Sequence, residues 1–108
     1  MEIKEQYEEL FQKMKQALPL KAFPIRDLVV ELRKSNLPIT LKTEVTIIDV
    51  YNTGDVTGIL CTLESLGKGK VACGLSHLIF ESSCPLYKEI AEYQRKRAKR
   101  IKKLNRGL

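Results

Sequence analysis

At Ile39 the hydrophobic period of this chain changes. Up to Asn36 the apolar residues return every three or four positions; from Ile39 to Glu81 they come as runs rich in Thr, Val and Ile, broken by glycines. A helix buries one stripe of a 3.6-residue period, whereas extended chain buries every second residue. One segment cannot satisfy both patterns, so the switch restricts the fold to helices packed on a small sheet, the α+β class. Over residues 2–18, Ile3, Tyr7, Leu10, Phe11, Met14 and Leu18 share a helical face. Glu2, Glu5, Glu8 and Glu9 lie in its N-terminal half, where the helix dipole favours negative charge. Pro19 and Pro24 bracket a short break, and Pro24 is expected in the first turn of a second helix, where its missing amide costs nothing. Ile25, Leu28, Val29 and Leu32 give that helix its apolar stripe, which should end near Ser35–Asn36, ahead of Pro38.

The β-rich part divides into three stretches. Leu41 to Tyr51 is long for one strand and is expected to bend or bulge. Asn52-Thr53-Gly54-Asp55 is a turn, since Asn and Gly tolerate positive φ and Asn and Asp bond nearby backbone. Val56 to Glu64 comes next as a second strand, and Leu66-Gly67-Lys68-Gly69 as the second hairpin connection. Lys70 to Cys73 begins a third strand, Gly74 interrupts it, and Leu75 to Phe80 continues it. Residues 45–50, 54–59 and 71–75, with their glycine bends and short turns, resemble a small SH3-like barrel over roughly residues 40–81. The resemblance implies a binding core of a kind used by peptide-binding, RNA-binding and metal-associated proteins alike, so it does not choose a ligand. The chain has no Trp, the residue that typifies peptide-binding SH3 surfaces, and proline-peptide recognition is not expected.

Ser82-Ser83-Cys84-Pro85 reads as a helix entry, with Ser as N-cap and Pro in the first turn. The helix expected within 83–106 runs for about 20 residues, or about 30 Å, with Gly107 as a stop. Its end is the most charged part of the chain. Arg95, Lys96, Arg97, Lys99, Arg100, Lys102, Lys103 and Arg106 face no acid after residue 94, so a tail of +8 follows a body of −2 and the total is +6. The register is amphipathic: Leu86, Tyr87, Ile90, Ala91, Tyr93, Ala98, Ile101, Leu104 and Leu108 form one apolar arc, which only Gln94 and Arg97 interrupt. The remaining bases fall on the other side. The expected arrangement is two N-terminal helices, a small antiparallel sheet or SH3-like barrel, and this long C-terminal helix, in a single domain over 1–108. Its parts are a helical segment (1–36), a β-rich core (39–81) and the basic helix (83–106).

Composition and motif spacing argue against most chemistry. No apolar run approaches a membrane span, and the acidic stretch Met1–Gln6 has no apolar centre of a secretory leader. Three unevenly spaced cysteines do not make a disulfide framework, and a cytoplasmic protein is expected. Cys61, Cys73, His77 and Cys84 would satisfy zinc by type but lack the CxxC knuckle, and Cys61 and Cys73 read as small core residues on adjacent strands. A Cys–His nucleophile would have to use His77, the only histidine, and lacks a recognisable third member. Leu66-Gly67-Lys68-Gly69-Lys70 lacks the spacing of a phosphate loop and precedes a strand rather than a helix. Asp49, Asp55, Glu44, Glu64 and Glu81 do not form a calcium-loop pattern. Of the aromatics, Phe11, Phe23 and Phe80 read as core, and Tyr51 is the best exposed candidate for stacking.

No enzyme, cofactor or metal site is therefore expected. The leading expectation is a non-enzymatic protein that meets RNA or DNA, without reading sequence, through Arg95, Lys96, Lys99, Arg100, Lys102, Lys103 and Arg106, supplemented by Lys68 and Lys70. The alternative is a protein-interaction or assembly domain. In that case the apolar arc past Ala98 finds no cover within the chain and forms a homodimer or meets another protein.

Overall fold

A computed structural model describes residues 2–54, 58–64 and 70–106, with side chains described for 7–54, 58–64 and 70–103. The fold is α+β. Helix α1 (Glu2–Ala17) leads into strand β1 (Leu20–Pro24), helix α2 (Arg26–Lys34), and strands β2 (Val45–Asn52), β3 (Ile59–Leu63) and β4 (Val71–Gly74). A 3-10 turn (Leu75–His77), strand β5 (Leu78–Ile79) and helix α3 (Tyr87–Arg106) complete it. The five strands form an antiparallel half-barrel in the order β4-β3-β2-β1-β5.

The first correction to the sequence reading is β1. Leu20-Lys21-Ala22-Phe23-Pro24 is a strand, with Leu20, Ala22 and Pro24 buried, and it lies between β2 and β5. Pro24 closes this strand instead of opening a helix. Ile25 is the N-cap of α2, and its amide donates to the His77 carbonyl at 3.0 Å. A proline is tolerated at a strand end because no further ladder amide is needed there. The sheet thus draws on residues outside 40–81. The end of α2 is where the sequence places it: Asn36 takes a positive φ of 63°, and the Leu37 amide bonds the Leu32 carbonyl at 3.1 Å.

The second correction is at the start of β2. Residues 41–44 are not strand. Thr40 and Thr43 close a turn on each other: the Thr40 amide donates to Thr43 Oγ1 (2.9 Å) and the Thr43 amide to the Thr40 carbonyl (3.0 Å). Hydroxyls that satisfy nearby amides compete with ladder bonds, which delays the strand to Val45. The expected bulge is present. The β2–β3 register shifts between Ile47 and Asp49, so Ile47 opposes Leu63 and Asp49 opposes Thr62. The Asn52–Asp55 turn is described as far as Gly54, whose φ is +91° and whose amide bonds Asn52 Oδ1 at 3.2 Å. Asp55 to Thr57 and the connection over residues 65–69 lie outside the described residues.

Gly74 ends β4 as expected, but the chain then enters a 3-10 turn rather than continuing the same strand. The turn carries the chain from β4 at one edge of the sheet to β5 at the other, which curls the sheet. Ile47, Ile59, Cys61, Leu63 and Leu75 fill the concave side with no exposed surface, and Met14 of α1 and Ile90 of α3 close over them. Cys61 and Cys73 oppose one another in this core, as their place on adjacent strands predicts. The third correction concerns α3, which begins at Tyr87, because residues 81–86 form turns in which the Tyr87 amide bonds the Cys84 carbonyl at 3.0 Å. No described helix is long and apolar enough to cross a membrane.

Candidate nucleic-acid interface

Helix α3 presents two unlike faces because its inner face is pinned at three successive points. Leu86, Ile90, Tyr93 and Arg97 are buried, at the four-three-four spacing of one helical stripe. Tyr93 meets Tyr7 of α1 edge to face, with ring centroids 5.1 Å apart. Its hydroxyl accepts the Ile59 amide at 2.8 Å, capping the first residue of β3. Burial pushes the Tyr93 phenol above its ordinary pKa, and the Ile59 bond opposes that shift in part. The approach is so close that Gly58 has no room for a side chain. A Cβ there would collide with the Tyr93 hydroxyl and come within 3.2 Å of Arg97 Nε, at a φ of +72°.

Gln94 and Arg97, the two polar interruptions of the apolar arc, are the other pins. Gln94 Nε2 donates to two carbonyls of the 3-10 region, Leu78 at 2.7 Å and Leu75 at 3.0 Å. Arg97 is only 5% exposed and reaches the Tyr7 hydroxyl at 3.4 Å. Buried polar groups keep such positions because a partner is waiting in the fold. The sequence signal was there, as the only two breaks in the arc, but their partners come from α1 and from the turn after β4.

The outer face carries the charges. Lys88, Arg95, Lys99, Lys102 and Lys103 are exposed, and Lys99, Lys102 and Lys103 make no ion pair with a described residue. Lys96 pairs with Glu92 one turn earlier at 3.0 Å, and that lysine, aided by Arg95, lowers the Glu92 pKa. Arg100 is half-buried and engaged within the chain, so it sits at the flank rather than on the outer face. The backbone of Arg106 continues α3; its side chain and all of Lys68 lie outside the described residues. Lys70 is elsewhere. It borders a groove on the open face of the sheet with Ile48, Asp49, Tyr51 and Thr62, and none of the α3 bases lines that groove.

The side chains of Glu2 and Glu5 lie outside the described residues. Glu8 bonds Gln12 and Asn52, Glu9 pairs with Lys13, and no ion pair among the described residues joins α1 to α3. Of the apolar arc, Leu86, Ile90 and Tyr93 are buried, whereas Tyr87 is 39% exposed, Ala98 is exposed and Ile101 is 40% exposed; the side chains of Leu104 and Leu108 lie outside the described residues. Cys61 and Cys73 point into the core, where burial pushes the Cys73 thiol up to about 11 and Cys61 higher still, while His77 is exposed. Among the described residues no three His, Cys, Asp or Glu side chains gather to hold a metal. Phe80 is core, Phe11 and Phe23 are only half-buried, and Tyr51, at 48%, is the most exposed aromatic described.

No family model, no curated protein and no solved structure matches this chain.

Proposed function

We propose that the chain is a cytoplasmic, non-enzymatic binding protein that holds the phosphate backbone of RNA or DNA along the outer face of α3. Arg95, Lys99, Lys102, Lys103 and Arg106 neutralise phosphates, and the contacts position the strand without reading bases. One observation carries the reading: exposed lysines that pair with no described residue follow one another on a helix face whose orientation is locked from behind by Tyr93, Gln94 and Arg97. A helix fixed in this way presents its cations without first having to order them, which lowers the entropic cost of binding. The half-barrel is read as SH3-like. Support comes from three consecutive antiparallel strands, a one-turn 3-10 link from β4 to β5, and β1 paired with β5.

Fluorescence anisotropy with labelled single- and double-stranded RNA and DNA, at low salt, tests the function. The intact protein binds, and Lys99→Glu/Lys102→Glu/Lys103→Glu loses binding while keeping its melting temperature. Absence of binding to any of the four at low salt refutes the proposal. A second reading, self-association through α3, is favoured by the exposure of Ala98 and Ile101 beyond the covered part of the arc. Light scattering separates it: a monomer at tens of micromolar removes the assembly reading.

A further inference from the structure

The open face of the sheet carries a second constellation that the α3 reading does not use. The β2 bulge turns two successive residues outward: Ile47 is fully buried, Ile48 is 37% exposed, and Asp49 follows it on the surface. Bulges are a recurrent means of re-aiming a side chain at a site. Asp49 is held in one orientation, Oδ1 accepting the Val50 amide at 2.8 Å and Oδ2 the Tyr51 hydroxyl at 3.0 Å. Lys15 stands 3.8 Å from Oδ1. These bonds keep the carboxyl ionised, and a carboxylate with one bond on each oxygen still has acceptor sites free. The Val50 amide first, and the Tyr51 hydroxyl second, lower the Asp49 pKa, in agreement with that geometry.

Beside the Asp49 row runs a second row of the same face. Tyr51 opposes Leu60 on β3, and Leu60 opposes Gly74 on β4. Gly74 has no side chain, and the exposed His77 ring fills the space: a Cβ at 74 would lie 3.3 Å from His77 Nδ1. Two exposed rings thus flank Leu60 across three strands, and Asp49 and Thr62 form the adjoining row. Lys70 borders a groove of about 360 Å³ over the Asp49–Thr62 row, which Tyr51 also lines, while Leu60 and His77 lie beside it and not in its lining.

We propose that this face receives an unstacked base of a single-stranded nucleic acid. The base lies against Tyr51 and His77 and gives its amino and imino hydrogens to Asp49. The chemistry favours guanine, whose adjacent N1–H and N2–H donors match a carboxylate edge. Uracil offers one N–H between two carbonyls, which a carboxylate repels. Lys15 and Lys70 outnumber Asp49, so the rim favours a ligand that brings phosphate over one that brings a peptide arginine. The platform is also tied to α3: Gln94 bonds the carbonyls of Leu75 and Leu78, which bracket His77 in sequence. This inference rests on the α3 reading and adds base selection to it.

The test compares two labelled RNA decamers, all-uridine and uridine with one central guanosine. The intact protein is expected to bind the guanosine decamer roughly tenfold more tightly, the scale of one bidentate base contact. Asp49→Asn should bring the two to parity, whereas reversal of Lys99, Lys102 and Lys103 should weaken both alike. Should Asp49→Asn fail to fold, NMR of the intact protein decides, with the Tyr51 and His77 ring protons shifting upfield only with the guanosine decamer. Equal affinities with unshifted rings overturn the inference and leave the α3 reading standing. Absence of binding to either decamer overturns both. Preference for an arginine-containing peptide over the decamers overturns the inference in favour of a protein ligand.

Discussion

Replacing Gly58 by Ala probes the contact on which the orientation of α3 depends. Gly58 has a φ of +72°, and a methyl group there meets the Tyr93 hydroxyl and lies 3.2 Å from Arg97 Nε. The left-handed backbone costs a non-glycine residue about 1–2 kcal/mol. Tyr93 must also move, which breaks its 2.8 Å bond to the Ile59 amide. A buried amide left without a partner costs about 1–3 kcal/mol. Gly58→Ala should therefore destabilise by about 2–5 kcal/mol, and each kcal/mol lowers Tm by about 4–8 °C in a domain of this size. The informative assay is a double-mutant cycle by urea denaturation with Tyr93→Phe. Without the hydroxyl the clash and the bond are both gone, so Gly58→Ala in that background should cost only the backbone strain of about 1–2 kcal/mol. Strict additivity, or a Gly58→Ala change within about 0.5 kcal/mol of neutral, would refute this account of how α3 is seated.

Three further predictions use other contacts. Gln94→Leu should cost about 1–3 kcal/mol, because the Leu75 and Leu78 carbonyls lose their donor; Gln94→Glu should cost more, since an acceptor would face two carbonyl oxygens, and chemical denaturation measures both. Asp49 should titrate below the ordinary carboxyl value of about 3.9. Because its folded pKa is lowered, its charged form stabilises the fold above the unfolded pKa, and that contribution disappears as pH falls through the folded value. The stability gap between the natural protein and Asp49→Asn should accordingly close as pH falls below the ordinary carboxyl value of about 3.9. Alkylation of the native protein at about pH 8 should label Cys84, which is half-buried, well before Cys61 or Cys73, whose thiolates are suppressed by burial; peptide mass mapping reads the order, and prompt labelling of Cys73 would contradict its placement in the core.

The elements legible in the sequence were those decided by neighbouring residues. The end of α2 at Asn36, the bulge in β2, the break at Gly74 and the amphipathic register of α3 all follow from local periodicity or from one backbone-permissive residue. Strand β1 was not legible. Its five residues end in proline, and only pairing with β2 and β5, which come later in the chain, makes them a strand. The Thr40–Thr43 turn escaped for a related reason, since β-branched residues favour strands until their hydroxyls find backbone partners. On α3, the outward lysines were readable from helical angle alone. Gln94 and Arg97 stood out as interruptions, but their meaning depended on Tyr7 and on the carbonyls of the 3-10 region. The proximity of His77 to Gly74, beside Leu60 and Tyr51, could not be read at all, because strand order and the course of the 3-10 turn create it.

The claim that α3 holds a phosphate backbone on its outer face is tested most directly by the salt dependence of RNA affinity. A protein that displaces counterions shows log K falling linearly with log salt, by about 0.7 per phosphate neutralised on single strands and about 0.9 on duplex. The natural protein should show a steep negative slope. Lys99→Gln/Lys102→Gln/Lys103→Gln should flatten that slope by about 2–3, with an unchanged melting temperature because none of the three is buried. A slope that stays the same when these lysines are neutralised, or affinity that does not respond to salt, would contradict it.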